Sequence, residues 1–350
     1  MATHPVASRS AFRRWLPGAM LALALPLVTP AAAQGLPPIK PGETMPADAI
    51  DAEKLFDAIV RVKIQAVPNA RSSATLGKAR EGSGVVIGDD GLILTIGYLI
   101  VEADDVTIED RKGRSLAAQV VGYDHATGFG LLRTISPINV KPVTFGSSAK
   151  LTERDPVMIA AEDGIAFAYV VSKRPFSGNW EYALDQAIWT SPPTTGWSGA
   201  ALLDRDGKLL GVGSLIVRDA TADDSKIPGN MFVPIDLLKP ILQDLVKGGR
   251  RKGPPRPWLG VAADEVQGRL IVSRVSPDSP AERAGIKSGD IILAVGGDSV
   301  RTQADFYKKV WSRGGAGTEI PLRLLQGIDI KEIPVASIDR VEYFRPRTTY

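Results

Sequence analysis

One serine of this chain has neighbours that could support nucleophilic chemistry. Residues 196–202 read Gly-Trp-Ser-Gly-Ala-Ala-Leu, so Ser198 lies in a loop with a glycine two residues before it and another directly after it. Glycine permits positive φ angles, and a tight turn built on it can aim a hydroxyl and nearby backbone N–H groups at one point. A strand-like run at 209–212 follows across a turn, which indicates a β scaffold for the loop. A glycine-flanked serine is also an ordinary turn residue, so the rest of the chain has to decide between the two.

The composition excludes several kinds of site. The 350-residue chain has no cysteine, and after its first 33 residues the one histidine is His125, so thiolate and multi-histidine metal sites are excluded. The net charge of +3 is matched by Arg9, Arg13 and Arg14, which leaves the remainder close to neutral. A neutral remainder has no basic patch of the kind that nucleic-acid binding needs. We therefore predict no metal, no cofactor and no nucleic-acid partner.

The first 33 residues have the pattern of a secretory signal peptide. Arg13 and Arg14 precede an apolar run at 19–25, and three alanines at 31–33 offer a cleavage site. This pattern predicts export to the periplasm. A retained anchor is the alternative, so membrane attachment is expected only through an uncleaved signal. The choice between the general and the twin-arginine export route stays open.

Short apolar runs separated by turn residues follow, and they predict a mainly β fold, as a barrel or sandwich. The runs lie at 59–64, 84–87, 92–95, 106–108, 118–122 and 129–132. A helix is predicted at 235–246. After it, strands at 270–272 and 291–295, a hairpin at 320–335 and a helix at 303–311 with Thr302 as N-cap predict a small α+β domain. The predicted organisation is a signal peptide (1–33), a linker (34–50), a β domain (51–248), a linker (249–257), an α+β domain (258–340) and a tail (341–350) without fixed structure.

The order of these motifs resembles one family. Residues 82–87 (Gly-Ser-Gly-Val-Val-Ile), 91–95 (Gly-Leu-Ile-Leu-Thr) and 120–124 (Val-Val-Gly-Tyr-Asp), followed by the Ser198 loop, resemble the trypsin-like domain of HtrA/DegP-type periplasmic serine proteases. Trp-Leu-Gly-Val at 258–261 and the segment 276–292 resemble the PDZ domain that follows it. The resemblance implies a trypsin-like double β-barrel with the active site between the barrels, then a PDZ domain.

Two of the three catalytic side chains implied by this resemblance are missing. The family uses a serine nucleophile, a histidine base and an aspartate that orients the histidine. Ser198 matches the nucleophile, but Tyr98 occupies the base position and Gly128 the acid position. A phenol is protonated at neutral pH and is a poor general base, so we predict that the protease domain is inactive. The oxyanion donors would be the N–H groups of Gly196 and Ser198, and Tyr98 is expected to be a packing residue with a hydrogen-bonded hydroxyl.

Other features of the chain also bear on whether Ser198 is active. Ala200 replaces a glycine of the family pattern, and Trp197 is hypothesised to fill the cleft. An active serine endopeptidase with a non-standard base is the alternative function. His125 is its main candidate base, although a surface loop position is expected for it, and Lys150, Lys173 and Arg174 are weaker candidates.

The PDZ-like region predicts peptide binding by strand addition. A C-terminal segment would pair with a strand edge, and backbone N–H groups of the loop at 259–261 would receive its carboxylate. The candidate peptide-binding residues are Trp258, Leu259, Gly260, Val261, Ala304, Tyr307 and Lys308. The expected partners are peptides or unfolded proteins, with a partner protease or further copies of the chain as other options. Periplasmic quality control or protease regulation is the predicted role, and an assembly scaffold is a third reading.

Overall fold

The computed structural model describes residues 52–221, 223 and 226–344. The predicted signal peptide, the predicted linker at 34–50 and residues 345–350 lie outside this range. Two six-stranded closed barrels come first and a six-stranded sheet with its helices follows. No helix among the described residues has both the length and the apolar character needed to cross a membrane.

The first barrel has the strand order β1-β2-β3-β6-β5-β4, with antiparallel neighbours throughout. Its core comes from the alternation of apolar side chains: in β1, Val60 and Val62 are fully buried while Arg61 and Lys63 face outward. The strands and helices are α1 (Ala52–Asp57), β1 (Ile59–Ala66), α2 (Ser73–Leu76), β2 (Ala79–Val86), β3 (Leu92–Ile96), α3 (Gly97–Ile100), β4 (Ala103–Glu109), β5 (Ser115–Tyr123) and β6 (Phe129–Thr134).

The second barrel has the order β10-β11-β12-β9-β8-β7 and encloses a cluster of buried residues that includes Ile188, Leu202 and Phe232. Its long hairpin, β8 with β9, ends in a turn at residues 179–181 that reaches the third domain. The elements are a 3₁₀ turn (Ser148–Lys150), β7 (Pro156–Ala161), β8 (Gly164–Gly178), β9 (Tyr182–Ser191), β10 (Ala201–Leu203), β11 (Leu209–Val217), β12 (Gly229–Pro234), a second 3₁₀ turn (Ile235–Leu237) and α4 (Leu242–Gly248).

The third domain is an antiparallel sheet, in the order β14-β15-β16-β18-β19, with β17 added to β16 and α6 packed against it. Its elements are β13 (Pro257–Trp258), β14 (Val261–Val266), β15 (Arg269–Val275), α5 (Pro280–Arg283), β16 (Ile291–Val295), β17 (Asp298–Ser299), α6 (Gln303–Trp311), β18 (Glu319–Gln326), β19 (Asp329–Ala336), β20 (Ile338–Asp339) and α7 (Arg340–Tyr343). The predicted helix at 303–311 is confirmed, and Thr302 caps it by accepting the Asp305 N–H at 3.2 Å.

Two of our predictions about secondary structure are wrong. The continuous helix expected at 235–246 is a 3₁₀ turn at Ile235–Leu237 followed by α4, because Pro240 supplies no N–H and its ring obstructs the preceding helical turn. Residues 341–343, which were expected to belong to a tail without fixed structure, lie in helix α7. Tyr343 of that helix packs on Trp258, with ring centroids 4.5 Å apart.

Candidate active site and carboxylate-binding loop

Ser198 is brought between the two barrels by contacts with strand β2. Its carbonyl oxygen accepts the N–H of Ser83 at 2.7 Å, and the Ser83 carbonyl accepts from Thr95 Oγ1 at 2.7 Å. The turn needs Gly199, whose φ is +76° and where an added Cβ would lie 2.0 Å from the Ser83 carbonyl oxygen. Ala200, in contrast, is fully buried in the core of the second barrel and does not have a positive φ, so it tolerates its methyl group.

Tyr98 is the side chain that meets Ser198. Its hydroxyl oxygen lies 2.9 Å from Ser198 Oγ and 3.0 Å from the carbonyl oxygen of Ser214. Burial raises the pKa of Tyr98 to about 12, and hydrogen bonds with the Ser198 and Trp197 side chains offset only part of that rise. The expectation of a packing residue with a hydrogen-bonded hydroxyl agrees with this geometry.

The short helix α3 that carries Tyr98 is held at its C-terminal end by Arg80. A helix of four residues leaves its last carbonyl groups without partners inside the helix. The buried Arg80 guanidinium donates to the carbonyls of Tyr98 at 3.2 Å and of Val101 at 2.5 Å, and also to Ser72 Oγ at 2.6 Å. Burial lowers the pKa of Arg80, although the nearby Glu102 opposes this change. Arg80 is therefore the residue that fixes the position of Tyr98.

Replacing Arg80 by methionine is expected to lower the free energy of unfolding by about 3–5 kcal/mol, because buried carbonyl groups and Glu102 lose their cationic partner. Urea unfolding measures this change. Arg61→Met is the matched control, since Arg61 pairs with Glu81 at 3.0 Å on the surface and its loss should cost under about 1 kcal/mol. Equal effects of the two substitutions would contradict the assigned role of Arg80.

The position predicted for the acid is crowded and has a backbone conformation that favours glycine. Gly128 has a φ of +83°, and an added Cβ would lie 3.2 Å from the hydroxyl of Tyr182. That hydroxyl donates to the Thr127 carbonyl at 2.6 Å. The carboxylate of Asp124 is close in sequence, but it accepts from Thr127 Oγ1 at 2.6 Å and from Arg251 at 2.8 Å.

The other candidate bases lie away from Ser198. His125 does not occupy the open surface position expected for it: its ring packs between Tyr123 and Phe344, and burial holds its pKa well below the usual value. Lys173 donates to the Leu151 carbonyl at 2.9 Å, and Arg174 stacks on the Trp189 ring. Across the described ranges, the side-chain hydrogen-bond partner of Ser198 Oγ is Tyr98.

A groove of about 450 Å³ runs past Ser198 and is lined by Glu162, with Asp163 next to it in sequence. Glu162 accepts a hydrogen bond from Ser83 Oγ, and its own N–H donates to that oxygen at 3.0 Å. Asp163 lies so close to Gly196 that a Cβ there would be 2.6 Å from its Oδ1. Trp197 is half-buried and lines both this groove and a second cavity of about 530 Å³ beside Tyr98. Neither carboxylate was singled out by sequence reasoning.

The loop predicted to receive a peptide carboxylate binds a carboxylate of the same chain. Glu181, at the turn of the β8–β9 hairpin, accepts the N–H of Leu259 at 3.0 Å, of Gly260 at 2.6 Å and of Val261 at 3.0 Å. Glu181 is only 8% exposed, and burial raises its pKa to about 7 against the opposing effect of the three N–H donors and Arg340.

The other predicted groove residues face the same hairpin. Tyr307 donates its hydroxyl to the Gly178 carbonyl at 3.0 Å, and Lys308 Nζ lies 3.4 Å from Asp185. Ala304 is partly buried on the same helix, α6. Trp258, 6% exposed, is covered by Tyr343. The predicted set is thus gathered in one place, but the hairpin and α7 cover much of it.

The comparison with known proteins agrees with this architecture. The sequence model for the trypsin-like peptidase domain matches residues 82–212, and that for the PDZ domain matches residues 257–336. A Haemophilus influenzae protein named "Probable periplasmic serine protease do/HhoA-like" is 29% identical over 270 residues, which cover 70% of this chain and 55% of that protein. The chain has the domain order of the HtrA/DegP type, a trypsin-like peptidase domain followed by a PDZ domain.

Two further comparisons show how much of the chain is similar to known HtrA-type proteins. A Marinomonas protein named "Probable periplasmic serine endoprotease DegP-like" is 30% identical over 239 residues, or 63% of this chain and 49% of the relative. The chain thus spans about half the length of these two curated relatives. The solved structure titled "HtrA-type protease AlgW with decapeptide" has a TM-score of 0.51 at 19% identity, covering 85% of this chain and 98% of that chain, and it shows a shared fold.

Proposed function

We propose that this chain is an exported HtrA-type pseudoprotease. Its trypsin-like domain does not hydrolyse peptides, and its PDZ domain binds C-terminal or unfolded segments in periplasmic quality control or protease regulation. The single observation that carries the proposal is the pairing of Ser198 Oγ with the Tyr98 hydroxyl, where a base would be needed.

The proton inventory at Ser198 argues against general-base catalysis. A carbonyl oxygen only accepts, so the arrangement that satisfies all three groups has Tyr98 donating to the Ser214 carbonyl and Ser198 donating to Tyr98. A phenol in this state already carries its proton. With a pKa of about 12, the phenolate fraction at pH 7 is on the order of 10⁻⁵. Ser198 therefore has no effective proton acceptor in Tyr98.

Charge near the predicted oxyanion position also supports inactivity. An oxyanion needs preorganised donors and a site free of negative charge. Asp163 lies directly beside Gly196, one of the two predicted donors, and Glu162 lines the groove that contains Ser198. Both carboxylates would disfavour the negative charge that develops during acyl transfer.

Export and peptide binding rest on the sequence pattern and on the relatives. The relatives are named periplasmic proteases, and the signal pattern at 1–33 is of the exported kind. The structurally similar "HtrA-type protease AlgW with decapeptide" holds a peptide, and this chain has a PDZ domain, which together support peptide binding. A partner protease and self-association remain parts of the proposal.

An active serine endopeptidase is the second candidate, and the names of the relatives favour it. It requires a base at Ser198. His125, the main candidate, packs between Tyr123 and Phe344. This reading would need a large rearrangement of that ring.

The purified mature chain and its Ser198→Ala variant decide between the two functions. We expect no casein hydrolysis above background and no stoichiometric labelling by a fluorophosphonate probe in either protein, because Ser198 cannot be deprotonated. An active HtrA-type protease of the same concentration is the positive control. Labelling or hydrolysis that disappears in Ser198→Ala would overturn the pseudoprotease proposal.

A further inference from the structure

We propose that Glu181 is an internal ligand of the PDZ domain, which occupies the place of a peptide's C-terminal carboxylate and must leave before a peptide binds. The inference rests on the proposed peptide-binding function and adds its regulation. The ligand class is a peptide with a free C-terminal carboxylate, and the competitor is the hairpin turn of the neighbouring barrel.

The carboxylate contact is a built site. Three consecutive backbone N–H groups, those of Leu259, Gly260 and Val261, converge on the two oxygens of Glu181 at 2.6–3.2 Å. Such a nest of N–H groups captures an anion, and the loop obtains its shape from Gly260, which has a φ of +85°. A peptide carboxylate would need the same N–H groups, so the two ligands exclude each other.

The hairpin turn also occupies the groove beyond the carboxylate. Gln303 of α6 donates to the Ala263 carbonyl of β14 at 2.7 Å and also contacts Asn179. Asn179 donates to Asp264 of β14 at 2.7 Å, and Tyr307 donates to Gly178. The turn is therefore held by both walls of the groove, β14 and α6. A peptide that pairs with β14 would meet it along its path.

The same turn reaches the cavity beside Tyr98. Trp180 stacks on Tyr182 with ring centroids 5.5 Å apart, both line that cavity, and Arg340 holds the Trp180 carbonyl at 2.7 Å. Glu181 itself has a φ of +54°, a costly conformation for a residue other than glycine. Displacing the turn would release this strain and move Trp180 and Tyr182. Residues 178–182 thus connect the peptide-binding groove to the surroundings of Tyr98.

The expected change in peptide affinity follows from the competition between Glu181 and the peptide carboxylate for the same N–H groups. If the loop is free of Glu181 in a tenth of the molecules or fewer, the apparent affinity for a peptide is lowered tenfold or more. Removing the side-chain carboxylate removes the competition for the N–H groups of residues 259–261 without altering the loop that carries them.

The test compares the full mature chain with Glu181→Ala, Glu181→Gly and the control Asp185→Asn. Asp185 is an exposed carboxylate on the same hairpin, and it faces Lys308 rather than the loop. Two readouts are needed: amide hydrogen exchange at 259–261, and binding of a fluorescein-labelled decapeptide ending in Ala-Leu-Val with a free carboxylate, with its C-terminally amidated twin as reference. Glu181→Gly accommodates the positive φ of this position in case the alanine variant folds poorly.

We expect exchange at 259–261 to be at least about tenfold faster in the Glu181 variants, and the free-acid peptide to bind them at least tenfold more tightly than wild type or Asp185→Asn. Equal exchange in wild type and variants would overturn the internal-ligand proposal, as would equal peptide affinity. Faster exchange with no peptide binding in any protein would instead overturn the proposed peptide-binding function and leave Glu181 as a contact between domains.

Discussion

The double variant Tyr98→His, Gly128→Asp is expected to stay inactive against casein, with less than a tenfold gain over wild type. Restoring a complete triad to such a domain would be worth on the order of 10⁶ in turnover. The aspartate would be strained and crowded there, because Gly128 has a φ of +83° and a Cβ would lie 3.2–3.5 Å from three atoms of the Tyr182 ring and hydroxyl. Restoring the two missing residue types is therefore not expected to restore the geometry of a triad.

The expected cost of the aspartate itself is about 1–3 kcal/mol of unfolding free energy, from backbone strain in the left-handed region. Urea unfolding of the double variant measures this cost and shows that inactivity is not simply loss of the fold. Tyr98→His alone is the control, because it should fold normally and lack the orienting carboxylate. Casein cleavage by the double variant that depends on Ser198 would show that Tyr182 moves aside and that only two side chains had been lost.

The barrels and the PDZ sheet could be predicted because their signals are local. The alternation in β1, the turn glycines and the capped helix α6 each follow from neighbouring residues, and the structure has these elements where they were expected. The pairing of Tyr98 with Ser198 could be anticipated only through the family resemblance, since 100 residues separate them. Apolar periodicity alone predicts one helix across Pro240, where the chain instead forms a 3₁₀ turn followed by α4.

The contacts that regulate and occlude the sites could not be predicted. Glu181 meets the loop at 259–261 across 78–80 residues, and nothing in the hairpin sequence distinguishes it from an exposed turn glutamate. The packing of Tyr182 against Gly128 could not be predicted either, because packing between barrels leaves no periodic pattern in the sequence. Residues in long-range contacts are specified by the whole fold, so a single sequence shows the available side chains but not their partners.

Occupation of the carboxylate loop by Glu181 is expected to weaken as the pH rises from 5 to 8.5. The pKa of Glu181 is raised to about 7 in the closed state by burial, while an exposed glutamate has its ordinary value near 4.5. A raised pKa means that the closed state holds an extra proton between these values. The equilibrium constant for closing is therefore highest below about pH 4.5. It falls by a factor on the order of 10² as the pH rises past 7.

The charged and titratable groups around the hairpin do not change this sign. Arg340 opposes the rise in the pKa of Glu181, and burial raises the pKa of Tyr307. Asp264 of β14 accepts a hydrogen bond from Asn179 of the turn. Lys308 and Asp185 pair with each other at 3.4 Å. His125 lies outside the range too, because its pKa is held well below the usual value.

The affinity of the free-acid decapeptide, measured across this range, reports the opening, because the peptide's own carboxylate is ionised throughout. We expect binding to wild type to tighten with rising pH and binding to Glu181→Gln, which cannot titrate, to stay level. The separation of the two curves is the decisive feature, since any titration elsewhere in the PDZ domain would appear in both. Parallel curves would show that proton release from Glu181 does not govern access to the groove.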